Sequence, residues 1–460
     1  MIQRIGLILA GCLLLIGVTT KAQVITAEQN YARNCPGIVM VQAVFSATVY
    51  VNKVEINQRA FDRLVDSIKT LDTTGTIFSP SQKLDMVVKA MYKNPLRFFT
   101  RSSDYFRQAR VVTSTGTGFL ITDDGYVVTN CHIIDRDSAF IRNKFILETY
   151  QEVTNANINA LQSSWAMTLN EQQRNLLYNA YGLIYSQVSS MILFDLKKEF
   201  FALYRVDVAG KGTGTVKKKA DVIIKGKPMP GKDVAILKIE GVSNMPTLTI
   251  SEDPLARIGT QVLVFGYPEP VTSNAFLAAD ANTEPSLTAG IVSAIKKSIG
   301  GWPVIQMDAV ISHGSSGSPV CNELGDVVGL ATFGSLDQGN NVLASGFNFA
   351  IPVSVVREFI DSVKLKPAIS KVSEEFNEGL HYFYTQYYRN AMEKFNVVKK
   401  INPAYPQLES YLQQCKAKIE GGADRHSPPR LYVFWLMIAI AIMTGIYLFM
   451  KARRQRVHRR

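Results

Sequence analysis

From about Val39 to Ile351 the apolar positions come in short β-branched runs separated by turns. Val39–Val51, Gly118–Ile121, Tyr126–Asn130, Ala220–Ile224, Val234–Ile239, Gln261–Gly266, Leu287–Ala294, Val304–Asp308 and Asp326–Phe333 each read as a strand. Turn chemistry punctuates them at Asp123-Asp124-Gly125, Pro228–Gly231 and Leu324-Gly325-Asp326. Short strands with no helix between most of them predict a mainly β fold of antiparallel barrels or a sandwich, not a parallel sheet. Two stretches interrupt the pattern. Residues 52–110 are mixed, rich in Lys, Arg and Phe, and read as a long excursion between the first two strands. Residues 137–198 have the helical period: Asn170 can cap a helix with Gln173 at the third position, and Leu177, Tyr181, Ile184, Val188 and Met191 follow on one face. Such a stripe faces a core, here its own, the barrel or a second subunit.

A further helix is expected near Val353–Val363, and 372–420 reads as a Tyr-rich helical hairpin. Within it Gly379, Tyr382, Ala391, Phe395 and Pro403 fall at signature positions of a tetratricopeptide unit of about 34 residues. Glu375 and Glu378 stand where that unit has Trp and Leu. The segment resembles one such repeat and offers a surface for a protein partner; a plain hairpin joining the body to a membrane is the alternative. After a linker from Gly421 to Pro429, Leu431–Met450 contains no charge. At about 1.5 Å per residue a helix of that length spans about 30 Å, the hydrocarbon thickness of a bilayer, so it predicts one transmembrane helix. The basic tail 451–460 places the C-terminus in the cytoplasm. Residues 1–22 combine Arg4, an apolar run from Ile5 to Val18 and a small-residue end at Ala22, which reads as a secretory signal. Leu9-Ala10-Gly11-Cys12 offers a competing lipoprotein reading. Signal and anchor together predict a single-pass membrane protein with its body outside the cytoplasm, in the periplasm.

Length and charge change this picture little. A chain of 460 residues predicts two or three packed units. The net charge of +12 suggests nucleic-acid binding until its location is considered. Six of the basic residues lie in 451–460 and two in 1–22, with no acid in either, which leaves +4 elsewhere and excludes a nucleic-acid surface. Beyond the signal, Cys35, Cys131, Cys321 and Cys415 are too few and too dispersed for a disulfide framework, and no obligatory disulfide is expected.

Three stretches carry chemistry. Gly116–Ile121 followed by Gly125–His132 reads as a hairpin delivering a histidine at a strand end. Lys232–Ile239 places Asp233 at the mouth of an apolar strand, and Asp308–Val320 contains the turn His313-Gly314-Ser315-Ser316-Gly317-Ser318. Acyl transfer from an amide needs a nucleophile, a base that titrates near neutrality and an anion to orient that base. Ser316, His132 and Asp233 supply one of each, and the N–H groups of Gly314 and Ser316 could form an oxyanion hole. Each signal alone is weak, since strand-end histidines, capping aspartates and Gly/Ser turns are commonly structural. Their joint occurrence is specific. The chemistry requires no metal and no cofactor.

These residues resemble the trypsin-like serine proteases, most closely the HtrA (Do-like) branch. Thr129-Asn130-Cys131-His132 is similar to its Thr-Asn-x-His, Asp233-Val234-Ala235-Ile236-Leu237 to its Asp-x-Ala-x-Leu, and Gly314–Pro319 to its Gly-Asn-Ser-Gly-Gly-Pro. Val264–Pro268, Thr288–Ala294 and Phe349–Pro352 extend the match in order over 37–365. The resemblance implies two chymotrypsin-like antiparallel barrels, endopeptidase activity on protein substrates, a long loop at 52–110 and a homo-oligomer, commonly a trimer. It also implies that Val310, six residues before Ser316, lies at the base of the pocket for the side chain preceding the cut, with Ile311 beside it. The departures are Ser315 for Asn, Ser318 for Gly, the helical insertion at 137–198, and no PDZ-like domain. The alternative function is a catalytically silent protease fold used for binding or signalling in the cell envelope.

Overall fold

Strand β1, Ile38–Ile56, buries every second residue, among them Val39, Val41, Phe45, Val49 and Val51, while the residues between them stay half-exposed. That period of two is the signature of a strand with one buried face. The computed structural model describes residues 25–457 apart from 74–76, 188–190, 209–211, 253–255, 273–275, 278–282, 337–342 and 426–428, with backbone alone at 72–73, 191, 270, 333–336, 343–347, 429–433 and 449–457. The expected signal at 1–22, with Cys12, and the end of the basic tail lie outside the described residues.

Twelve strands form two closed barrels. The first has the order β1, β2 (Phe99–Leu120), β3 (Tyr126–Thr129), β6 (Ala235–Ile239), β5 (Gly212–Lys225), β4 (Met191–Val208). The second has the order β10 (Pro319–Cys321), β11 (Val327–Leu336), β12 (Leu343–Pro352), β9 (Pro303–Met307), β8 (Ser286–Lys297), β7 (Gln261–Gly266). β3 and β6 pair antiparallel, Val128 with Ile236 and Thr129 with Ala235. The mainly β architecture expected from the strand pattern is observed, and of its two alternatives, barrels or a sandwich, the barrels are the ones formed, two in number as the resemblance implies.

The residues gather into two compact units. The first contains the chain up to Val41, Gly116–Cys131 and everything from Phe201 on; the second contains Gln42–Thr115 and His132–Phe200. The stretch 37–365, expected as one domain, is therefore divided between both. In the second unit, long extensions of β1, β2 and β4 carry helices Gln58–Thr73, Pro80–Lys93, Ser138–Ser164 and Glu171–Gln187 over a core containing Phe45, Val88, Met91, Phe145 and Leu177. Asn170 and Gln173 cap the last of these helices reciprocally, and Tyr181 and Ile184 point into the core. Two expectations need correction. The excursion at 52–110 is helical only between the end of β1 at Ile56 and Phe99, where β2 already begins. The helical insertion ends by Gln187, because Met191 opens β4, whose Leu193, Leu196 and Phe200 pack on the core although their spacing is that of a helix face. Val188 lies outside the described residues.

In the first unit a short helix, Ala27–Asn34, is capped by Thr26 and Gln29 and docks on the β10–β11 turn. Asn30 Nδ2 donates to Asn322 O, Asn34 Nδ2 to Gly325 O, and Arg33 to Leu324 O. Beyond helix Val353–Ser362, the segment expected as a hairpin consists of three helices, Lys371–Tyr384, Tyr388–Ile401 and Leu408–Glu420. They share a core of Phe376, Leu380, Phe395, Val398, Tyr405 and Leu408, joined by Ala32 of the N-terminal helix. Asp207 on β4 caps the third helix, accepting from the N–H groups of Gln407 and Glu409. Cys35, Cys131, Cys321 and Cys415 are all buried, and burial raises the Cys321 thiol.

The last helix runs from Pro429 to Val457. Among the described residues no helix is long and apolar enough to cross a membrane. The transmembrane helix expected at Leu431–Met450 is thus not borne out there.

Candidate active site

The turn carrying Ser316 exists because two glycines allow it. Gly314 has φ +87° and Gly317 φ +85°, backbone that a side chain strains. Space forbids a side chain as well. A Cβ at Gly314 would lie 2.3 Å from the Tyr267 carbonyl oxygen, and one at Gly317 would lie 1.9 Å from that of Thr117. The turn is thereby pressed against the ends of β7 and β2.

Each peptide of the turn is held. His313 O accepts from Glu269 N–H at 2.6 Å, Ser315 N–H donates to Ser312 O, Ser318 N–H to Ser315 O, and Thr117 N–H to Ser316 O. Gly314 O accepts from the Thr117 hydroxyl at 2.8 Å. A trans peptide points its N–H opposite to its C=O. With the carbonyls of His313 and Ser315 engaged, the N–H groups of Gly314 and Ser316 are directed the other way, and among the described residues they donate to no backbone acceptor. Two such donors side by side form a receptor for developing negative charge on oxygen.

Asp233 is fully buried just ahead of β6. Its Oδ2 accepts from the Thr332 hydroxyl at 2.9 Å, and the Thr332 carbonyl accepts from Ser316 Oγ at 2.9 Å. One residue of β11 thus bridges the carboxylate and the nucleophile candidate. Sequence reasoning missed Thr332, because a main-chain carbonyl and one hydroxyl on a strand leave no motif. Asn130, also fully buried, donates its side-chain amide to Asp233 O at 2.8 Å, and Thr129 Oγ1 donates to Thr117 O at 2.7 Å. These bonds tie the end of β3 to the strands bearing Asp233 and Thr117. His132 follows at once, in the single helical turn Cys131–Ile134, and opens the second stretch of the other unit, His132–Phe200. The structure gathers Asp233, Ser316 and Gly314 within one unit, and His132 is joined to it through Cys131.

Val310 does not fit the place expected for it. Its side chain is 62% exposed, whereas Ala309 and Ile311 on either side are buried. Thr288 Oγ1 donates to Val310 O and Asn348 Nδ2 to Ala309 O. Val310 lies on an open face rather than at a closed base. Asp308, the nearest carboxylate in sequence, accepts from Ile291 N–H at 2.6 Å.

Residues 192–330 match the trypsin-like peptidase domain, a stretch that includes Asp233 and Ser316 but not His132. A protein described as "Probable periplasmic serine endoprotease DegP-like" from Rhizobium meliloti is 26% identical over 259 residues, covering 56% of this chain and 34% of that protein. The serine endoprotease DegS of Escherichia coli K12 is 33% identical over 137 residues, covering 28% of this chain and 35% of that protein. The chain spans about a third of the length of the curated relatives it matches. The crystal structure of the serine endoprotease from Yersinia pestis aligns with a TM-score of 0.33 and 17% identity, over 74% of this chain and 68% of that one. The matched stretch is similar to a trypsin-like peptidase domain, and the relatives named are serine endoproteases, DegP-like or DegS.

Proposed function

We propose that the chain is a serine endopeptidase of the cell envelope in which Ser316 attacks the peptide carbonyl, His132 takes its proton and Asp233 orients the imidazole. The observation that carries this reading is the Thr332 bridge between Asp233 Oδ2 and Ser316 Oγ, beside a turn whose Gly314 and Ser316 N–H groups are directed away from their neighbours' acceptors. Ser316 Oγ donates to a carbonyl at rest, so attack requires the hydroxyl hydrogen to turn from that carbonyl to the base. The acyl-enzyme would form as the amine leaves with that proton, and water would release the acid by the reverse transfer. A fluorophosphonate probe tests the reading. Labelling should be lost in Ser316→Ala, and hydrolysis should fall by several orders of magnitude in Ser316→Ala, His132→Ala or Asp233→Ala without multiplying in combination. No labelling of the wild-type protein would favour the silent binding module instead.

Substrates in this reading are unfolded envelope proteins cut after small or medium apolar residues. Ala309, Val310 and Ile311 supply no carboxylate, and Asp308 is occupied by a backbone N–H. A Lys or Arg side chain before the cut would find no free carboxylate among these residues to pair with. Profiling of cleavage sites in a denatured protein mixture should show Ala, Val, Ile or Leu before the cut, and a preference for Lys or Arg would refute it. The proposal further includes a membrane anchor at Leu431–Met450, a protein partner on the tetratricopeptide-like segment 372–420 and assembly into homo-oligomers.

A further inference from the structure

Thr117 lies on β2, in the first barrel, yet it touches the nucleophile turn of the second barrel three times. Its N–H donates to Ser316 O at 2.7 Å. Its hydroxyl donates to Gly314 O at 2.8 Å and accepts from Tyr267 N–H at 3.0 Å. Its carbonyl accepts from Thr129 Oγ1 and lies where a Cβ on Gly317 would be. The side chain is fully buried.

The hydroxyl matters because of which peptide it holds. The two oxyanion donors belong to the 313–314 and 315–316 peptides, and the Gly314–Ser315 peptide lies between them. That middle peptide is fixed by Ser315 N–H on Ser312 O at one edge and by the Thr117 hydroxyl on Gly314 O at the other. Rotation of the middle peptide changes ψ at Gly314 and φ at Ser315, and so alters the angle between the two donors. A glycine offers little steric resistance to that rotation. The hydroxyl can also donate to Gly314 only in the rotamer set by accepting from Tyr267 N–H at the end of β7. Its rotamer is therefore fixed by the neighbouring backbone.

We infer that Thr117 is a positioning residue for the proposed acyl transfer: its buried hydroxyl, held by Tyr267 N–H, locks the Gly314–Ser315 peptide so that the Gly314 and Ser316 N–H groups converge on one oxyanion. The inference rests on the proposed function, since without acyl transfer there is no oxyanion to bind. It acts through the donors and touches no substrate. Its effect should therefore appear in the transition state rather than in substrate binding.

The test compares Thr117→Val, which keeps the shape and removes the hydroxyl, with Thr117→Ser, which keeps the hydroxyl, in the full-length protein. Removing one oxyanion donor outright costs about a hundredfold to a thousandfold in kcat; misaligning a pair should cost Thr117→Val about tenfold to a hundredfold. KM should be nearly unchanged, and affinity for a peptide boronate, which mimics the tetrahedral oxyanion, should fall in parallel with kcat/KM. Thr117→Ser should restore both to within about threefold of wild type. Wild-type kcat in Thr117→Val, a loss confined to KM, or a loss that Thr117→Ser fails to restore overturns the inference while leaving the endopeptidase reading intact. An inactive and unlabelled wild-type protein overturns both. If Thr117→Val does not fold, Thr117→Ala replaces it, and equal kcat in Thr117→Ala and Thr117→Ser is then the refuting result.

Discussion

At the residue scale, chemistry and backbone geometry were legible to different degrees. Asp233, Gly314 and Ser316 could be read because each sits in a short run whose turn or strand character is local. Thr332 could not, because its role depends on β11 passing both Asp233 and Ser316, and that adjacency arises from the barrel. Val310 shows the converse. Its offset from Ser316, read through the family resemblance, suggested an enclosed position, but the side chain is exposed between two buried neighbours. Thr332 also carries a prediction. A hydrogen bond to a charged, buried carboxylate contributes about 1.5–3 kcal/mol, and Thr332→Val removes it while keeping the carbonyl that holds Ser316. Asp233 would then orient the base less firmly, and kcat should fall about tenfold or more while the melting temperature changes little. Unchanged kcat would mean that the other bonds to Asp233 suffice.

At the element scale, period-two and helical patterns located most of the strands and helices, and errors fell where a segment leaves one pattern for another. The helix ending at Gln187 is followed by a strand whose core-facing Leu193, Leu196 and Phe200 could be mistaken for a continuing apolar helix face. In the C-terminal helices, the two substitutions in the repeat-like signature have a physical outcome. Lys394 lies 3.0 Å from Glu375 and 2.7 Å from Glu378, so ion pairs occupy the place of apolar packing. Gly379, by contrast, obeys the signature because of contact. A Cβ there would lie 2.5 Å from the Phe395 ring, and that ring is wedged among Phe376, at 5.4 Å, and Tyr411, at 5.5 Å. Gly379→Ala gains about 1 kcal/mol of helix propensity but incurs overpacking of about 1–3 kcal/mol. The clash should win, lowering the thermal midpoint of the purified protein by a few degrees. A rise in the midpoint would show that the ring can move aside.

At the scale of the whole molecule, strand count and turn spacing made antiparallel barrels or a sandwich legible, and the choice of two barrels came from the family resemblance. The division into two units was not, because β1 and β2 run through the boundary without any change in composition. Localisation is the prediction that belongs here. If Leu431–Met450 spans a bilayer, the protein should stay in the membrane pellet after alkaline carbonate extraction, and deletion of residues 429–460 should release it. Extraction of the intact chain by carbonate or high salt would remove the anchor from the proposal. The docking of the N-terminal helix has a consequence in time. Asn30 bonds to a carbonyl 292 positions later, and Glu28 to Tyr384, 356 positions later. Contacts of such separation form slowly, after most of the chain has already condensed. The β10–β11 turn that follows Ser316 therefore waits for a partner made at the start of synthesis and still unengaged at its end. A newly made chain would pass through a stage with both barrels formed and this clasp open, and the order of assembly itself would delay the completion of the site.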